Sequence, residues 1–314
     1  MLPRVVATTQ RVLITGANGR LGRRLLQALA ATSPPTPTRA LVRSARAADS
    51  LADLAAGSGS QLRVVDYADA KTMTEAAEGC AHAVHLVGIL KETRQNRYAS
   101  AHEATARALA AAADAAGLRR IVHTSIHGAD ADSPNPCLAS RGRSDAILLA
   151  AQTPALILRV PMVLGGGDAA STALRLAVLS GRATLVGGGA SLEQPIAARD
   201  VVAALCAGLA QSGVDDSVLE LAGPESLPHR ALLERAARSL GAEIRFRSLP
   251  LALARAGATL AERLLAEPPF TRAMLGVLQH DDQVDPLPAA RALGIDLTPL
   301  DEALRECLAA AGDT

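Results

Sequence analysis

A chain of 314 residues, 49% hydrophobic and 20% charged, has the length and composition to bury a large folded core. Its 32 basic and 31 acidic residues leave a net charge of +1, and aromatics make up 1%. Both the basic excess and the stacking platforms of a nucleic-acid binder are therefore missing. The four cysteines, Cys80, Cys137, Cys206 and Cys307, lie far apart, with no C-x-x-C and no histidine at metal spacing. That pattern reads as a reduced cytosolic protein with no metal site.

Residues Met1 to Gln10 carry no apolar core of signal-peptide length, and no stretch reaches the roughly 18 uninterrupted apolar residues of a bilayer span. The expected location is the cytoplasm, with peripheral attachment at the inner face of the membrane left open. The run Val12-Leu13-Ile14 reads as a strand and breaks into Gly16, Gly19 and Gly22, spaced G-x-x-G-x-x-G. Helical spacing then begins at Leu21, Leu25, Leu26 and Leu29. A strand, a glycine turn and a helix N-terminus in succession let backbone approach a pyrophosphate, with unpaired N–H groups and a partial positive charge facing it. Gly16, Asn18, Gly19, Arg20, Leu21 and Gly22 are therefore expected to hold a dinucleotide.

Prolines at 34, 35 and 37 stop the first helix, and Ala40 to Arg43 reads as a second strand. A helix over Ala47 to Ala56, a strand over Gln61 to Asp66 and a helix over Lys71 to Gly79 follow. Next come a strand over Ala83 to Gly88 and an alanine-rich helix from Ala101 to Ala116, stopped by Gly117. Arg120 to Ser125 is a fifth strand, Asp145 to Gln152 a helix, and Ala155 to Val160 a sixth strand. Continuous apolar strands alternating with helices predict a doubly wound parallel α/β sheet covered on both faces. Residues 1–160 form the expected dinucleotide-binding domain. Residues 161–314 form a smaller, mostly helical C-terminal region, interleaved with the sheet and closing over its carboxyl edge. Within that region Gly165 to Gly167 and Gly187 to Gly189 bracket a helix near Ala170 to Leu179, another helix follows Asp200, and Val218 to Ala222 reads as a further strand. Leu249 to Glu267 reads as a core-packing helix, with membrane docking as the alternative.

Cofactor choice is set at the end of the second strand. An NAD site carries a carboxylate there for the ribose 2′-hydroxyl, whereas this chain has Arg43, with Arg46 nearby and no acid before Asp49. A guanidinium grips a 2′-phosphate in two-pronged fashion, so NADP(H) is preferred over NAD(H), with Arg20 able to approach the same phosphate. Asp66, followed by Tyr67, ends the third strand, where a side chain meets the adenine amine. Val87 and Gly88 end the fourth beside the nicotinamide ribose, and Ser125 ends the fifth at the chemical edge.

The stretches Thr15 to Gly22, His85 to Gly88, Val122 to Ser125, Leu158 to Gly165 and Gln194 to Val202 together resemble the extended and atypical short-chain dehydrogenase/reductases, over roughly residues 11–205. The resemblance implies a Rossmann fold, and it places Pro161 beside the cofactor. Leu86 to Leu90 and Gln194 to Val202 look most like the branch containing the NADPH-binding accessory subunit of respiratory complex I. That branch implies tight NADP(H) binding and a link to quinone-pathway or respiratory-chain proteins.

Active members of the family carry Tyr-x-x-x-Lys before the sixth strand, the Lys lowering the Tyr pKa for proton transfer. Here Cys137 stands for Tyr and Arg141 for Lys, with Asp145 where the family often has Glu. The tyrosines Tyr67 and Tyr98 and the lysines Lys71 and Lys91 lie elsewhere. Arg141 can hold the cofactor ribose or a phosphate but does not exchange protons near neutrality. His127, in the loop after the fifth strand, is the better substitute proton carrier, whereas His123 reads as a packed, hydrogen-bonded strand residue. The expectation is an NADP(H)-binding protein without the Tyr/Lys pair, acting as an accessory or redox sensor near quinone or respiratory metabolism. The alternative is an active NADPH-dependent oxidoreductase or epimerase on a quinone-like or sugar-nucleotide substrate, with a non-standard proton donor.

Overall fold

The computed structural model describes residues 10–210, 217–265 and 267–309. The N-terminal stretch read above for signal-peptide character lies, up to residue 9, outside the described residues. The first half alternates as expected: β1 (Val12–Thr15), α1 (Arg20–Ala30), β2 (Thr38–Val42), α2 (Ala45–Asp49), α3 (Ala52–Gly57), β3 (Gln61–Val64), α4 (Ala70–Ala77) and β4 (His82–His85). A π-helical segment, Ala99–Ala104, runs into α5 (Thr105–Ala116), followed by β5 (Arg120–Ile126), α6 (Pro136–Leu149) and β6 (Ala155–Val160). The second half holds β7 (Val163–Leu164), α7 (Ala169–Ser180), β8 (Arg182–Val186), β9 (Leu192–Glu193), β10 (Ile196–Ala197), α8 (Ala198–Ala210), β11 (Ser217–Glu220) and β12 (Leu227–Pro228). It ends with α9 (His229–Ser239), β13 (Arg245–Leu249), α10 (Leu251–Leu264), α11 (Arg272–Leu278), α12 (Leu287–Leu293) and α13 (Leu300–Ala309).

Seven parallel strands form one sheet in the order β11-β6-β5-β4-β1-β2-β3. Ile14 pairs with Ala40 of β2 on one side and Val84 of β4 on the other. The strand order therefore reverses at β1, which opens a crevice at its carboxyl end. Alternate strand residues feed two cores, as a sheet covered on both faces requires. Val12, Ile14, Val84, Val122 and Leu156 pack with Leu25 and Leu26 of α1 and Val201 and Leu205 of α8. Leu13, Leu41, Ile121 and Ile157 pack instead on Met73, Leu109 and Leu148 of α4, α5 and α6. A third core joins α7, α9 and α13 around Leu174, Leu232 and Leu304.

Three expectations need correction. The helix expected from Asp145 starts at Pro136, because Asn135 caps it, accepting from the N–H groups of Cys137 and Leu138, and proline fits the first turn. The third and fourth strands end at Val64 and His85, which puts Asp66, Val87 and Gly88 in the loops beyond them. The C-terminal region is mostly helical, as expected, and also holds β8 and β13, paired in parallel over five residues each. And α10 packs on only a small core, through Ala254 and Ala258, while Leu253, Leu260 and Leu264 stay exposed.

Candidate functional site

The glycine turn is built by close approach. Gly16 has φ of +70°, the left-handed region that side chains rarely adopt. A Cβ on Gly22 would stand 2.6 Å from the carbonyl oxygen of Ala17, so only glycine lets α1 start this near the turn. Gly19 is the N-cap of α1, and no side chain caps the first turn. Its N–H groups and the helix dipole are left for an anion. Arg23 clasps the turn from outside, its Nε donating to Asn18 O at 3.1 Å and its Nη2 to Ser50.

The residues expected around the turn take distinct positions. Arg43, just past β2, is exposed and donates to Asn96 Oδ1 at 3.0 Å. Arg20 heads α1 and lies against the 165–167 glycine loop, where a Cβ on Gly167 would sit 3.0 Å from its guanidinium carbon. The contacts of the two arginines thus differ. Asp66 is exposed and accepts from the Ala68 N–H, an Asx turn that starts the run into α4. Tyr67 is buried, and burial pushes its pKa up to about 12. Sequence reasoning missed the pair Arg24 and Asp168, joined at 3.0 Å, with Arg24 also donating to Gly166 O. It ties the 165–168 loop to α1.

The reaction edge is dominated by Arg141. From the second turn of α6 its Nη1 donates to Val87 O at 3.3 Å and Thr124 O at 3.4 Å, bridging the ends of β4 and β5. Its guanidinium occupies the open face of Gly88, where any Cβ would collide with Nη2. Its Nε is buried with no hydrogen-bond partner among the described residues. Ser125 is 1% exposed at the same edge, and Pro161 is half-buried directly after β6. A turn shaped for phosphate, an uncapped helix start and an orphaned buried donor fit a nicotinamide dinucleotide laid across the crevice.

Cys137 is fully buried, its thiol directed at Ile89 O at 3.8 Å, and burial raises its pKa. Tyr98, which no sequence spacing linked to the motif, brings its hydroxyl within hydrogen-bonding reach of that thiol and donates to Leu90 O at 2.8 Å. Burial raises the Tyr98 pKa as well, the opposite of what the family's Tyr needs. Behind them sit three buried histidines. His85 meets Thr15 Oγ1 at 2.8 Å, His123 bonds His85 O at 3.0 Å as a packed strand residue, and His102 stacks on Tyr98. Burial, helped by the charge of Arg141, lowers all three, His85 and His102 to about 3. They are neutral groups at neutral pH.

A chain of charges crosses the ends of β5, β6 and β11. Asp145, buried and raised in pKa by that burial, pairs with Arg159 at 3.0 Å. Arg159 reaches Glu220 at 3.2 Å, and Glu220 meets His127 Nδ1 at 2.7 Å. His127 is buried, with no hydrogen-bond partner on Nε2 among the described residues. Among the described residues no group of His, Cys, Asp and Glu is placed to hold a metal, and no helix is long and apolar enough to cross a membrane.

The profile of the NAD(P)H-binding family matches residues 16–213. The chain belongs to that family. Its parallel sheet with flanking helices is the Rossmann-like arrangement of an NAD(P)H-binding domain. It is 28% identical over 262 residues to NADH dehydrogenase (ubiquinone) 1 alpha subcomplex subunit 9, mitochondrial, of Arabidopsis thaliana, covering 82% of this chain and 64% of that protein. It is 33% identical over 159 residues to a ceramide reductase of Caulobacter vibrioides, covering 50% of this chain and 47% of that one. The chain thus spans less than two thirds of either curated relative. Among solved structures, the NADPH complex of an NADPH-dependent quinone oxidoreductase from Escherichia coli superposes with a TM-score of 0.71 at 22% identity, covering 93% of this chain and 98% of that one. That likeness shows the fold.

Proposed function

We propose that this NAD(P)H-binding protein holds NADP(H) tightly, without the family's proton-transfer pair, as an accessory or redox-sensing protein of quinone or respiratory metabolism at the inner face of the membrane. The observation that carries this reading is the pair of residues at the Tyr/Lys positions. Cys137 is buried with a raised pKa, and Arg141 is locked between two strand ends against Gly88. Neither exchanges a proton readily near neutrality.

In the proposed site, residues 1–160 form the dinucleotide-binding unit and residues 161–314 the covering region. The N–H groups at Arg20, Leu21 and Gly22 take the pyrophosphate, with Gly16, Asn18 and Gly19 shaping the turn, the Gly19 N–H donating to Gly16 O at 3.0 Å. Arg43 takes the 2′-phosphate, joined by Arg20 from the other side of the turn. Asp66 reads the adenine amine, and Tyr67 holds the turn in place. Val87, Gly88, Ser125 and Pro161 line the nicotinamide end, where the Arg141 guanidinium faces the ribose hydroxyls. When bound, the nicotinamide ring supplies or accepts a hydride. Support for the NADP(H) preference comes from the uncompensated Arg43, and support for the respiratory link from the complex I subunit among its relatives.

A second reading has its own observation. His127 is buried, oriented by Glu220 at 2.7 Å and open on Nε2, which is the arrangement of a general acid or base. On that reading the protein is an active NADPH-dependent reductase or epimerase, as the name of the ceramide reductase relative suggests.

Calorimetric titration with NADPH and NADH tests the first reading. Micromolar or tighter NADPH binding, weakened at least tenfold (about 1.4 kcal/mol) by Arg43→Ala with NADH binding unmoved, is expected. Equal affinity for both nucleotides in wild type and variant sinks the 2′-phosphate assignment. Consumption of NADPH with soluble quinones that is lost in His127→Ala favours the second reading.

A further inference from the structure

Helix α10 turns its leucines outward. Leu253, Leu260 and Leu264 are 61%, 58% and 71% exposed, and with Gly257 they fall on one line of the helix. The inward face is Ala254 and Ala258, packed on Leu275 of α11. A helix on a soluble protein normally buries its leucines and shows its charges, so this apolar face lacks its partner. The apolar surface continues past the helix in Leu265 and Phe270, both exposed.

Leu264 and Leu265 also line a cavity of about 850 Å³. Its lining includes Tyr98, Asn135 and Pro136, the last next to Cys137, together with Arg94, Arg97, Arg263 and Arg272 and the acids Glu92 and Glu262. Both acids are engaged, Glu92 with Arg97 at 3.5 Å and Glu262 with Arg272 at 2.9 Å. Arg94 and Arg263 have no acidic partner among the described residues. The cavity lining therefore combines unpaired positive charge with the apolar side chains of Leu264 and Leu265.

We propose that the α10 stripe and this cavity lining dock the protein on an anionic lipid bilayer, with Leu253, Leu260 and Leu264 entering the acyl boundary and Arg94 and Arg263 holding a lipid phosphate. An apolar helix face beside unneutralised arginines is the arrangement that interfacial helices use, each cation near an anionic surface adding attraction. A second copy of this chain docked on the stripe would bring an equally positive lining to meet the first, whereas an anionic bilayer brings the counter-charge. The cavity lining joins Leu264 of the stripe to Pro136, the neighbour of Cys137 in sequence, so an amphiphile held there would lie between the lipid and the reaction edge. This deepens the peripheral placement proposed above and is independent of the cofactor assignment.

The test is co-sedimentation of the full chain with vesicles of phosphatidylcholine alone and of equimolar phosphatidylcholine and phosphatidylglycerol. Expected is binding to the anionic vesicles at least tenfold tighter than to the neutral ones. Leu260→Gln with Leu264→Gln should lower it at least tenfold, and Arg94→Ala with Arg263→Ala should remove the preference for phosphatidylglycerol. All four substitutions are on exposed side chains, and NADPH titration of each variant reports whether it is folded and whether the cofactor reading stands. Binding that is equal in wild type and leucine variant overturns the proposal. So does a concentration-dependent dimer in sedimentation velocity that the leucine substitutions dissolve, since a second copy would then cover the stripe.

Discussion

Tyr67 pins the glycine turn to the neighbouring strand: its hydroxyl accepts from the Gly16 N–H at 2.9 Å and donates to Leu41 O at 2.6 Å. One buried side chain thus satisfies a donor in the turn and an acceptor in β2, at the point where Gly16 leaves ordinary backbone space. Tyr67→Phe keeps the ring and strips both bonds, so the Gly16 N–H and Leu41 carbonyl lose a partner. A loss of about 1–3 kcal/mol is expected in urea denaturation, together with weaker NADPH binding. Unchanged affinity would mean that the turn keeps its shape without the hydroxyl.

Gly88 and Arg141 share one space. Gly88→Ala forces the guanidinium away from Val87 O and Thr124 O, and overpacking of this kind costs about 1–3 kcal/mol. Arg141→Ala removes the obstacle, so Gly88→Ala should cost much less in that background. A double-mutant cycle on denaturation midpoints measures this coupling. Additive losses would place the strain at Gly88 in its backbone instead.

The parallel sheet was legible because its strands are continuous apolar runs, and the glycine turn because close approach admits no other residue. The start of α6 was not. Its buried face includes Ser140, Ser144 and Asp145 beside Cys137, so the apolar period that marks a helix is missing over the turns that build the site. The signal that was there is Asn135-Pro136, a cap followed by a first-turn proline. The outward leucines of α10 misled in the reverse way: the 3.6-residue period shows which residues share a face, and says nothing of whether protein covers it. Tyr98 was invisible as a neighbour of Cys137 because 39 residues and two strand ends separate them.

The buried histidines set the acid limit of stability. His85 and His102 are held neutral, their pKa values lowered from 6.5 to about 3, and His123 is lowered in the same direction. In the unfolded chain each takes up a proton below pH 6.5, while in the folded chain His85 and His102 do not until pH nears 3, and His123 does so only well below 6.5. The unfolded state therefore binds more protons across that window, and stability falls as pH drops through it. Each histidine contributes a slope of about 1.4 kcal/mol per pH unit. Urea midpoints taken between the ordinary histidine pKa and the carboxylate range should follow the summed slope, and His85→Gln should flatten it by one such share. A pH-independent midpoint there would mean that these rings are already charged when folded.

Restoring the family's tyrosine tests what fills its place. Cys137 is fully buried, with the Tyr98 hydroxyl at its sulfur and Ile89 O at 3.8 Å, so no room remains for a second phenol. Cys137→Tyr alone should overpack this corner, at a cost of about 1–3 kcal/mol. Combined with Tyr98→Ala, which vacates a ring, it should recover most of that loss. Adding Arg141→Lys then sets a tyrosine four residues before an ammonium, the spacing that lowers a phenol pKa. Ultraviolet titration of the triple variant should show tyrosinate forming at lower pH than in the Cys137→Tyr, Tyr98→Ala double variant. If Cys137→Tyr is tolerated without Tyr98→Ala, Tyr98 does not occupy the missing tyrosine's space, and the loss of the pair left an open site rather than a filled one.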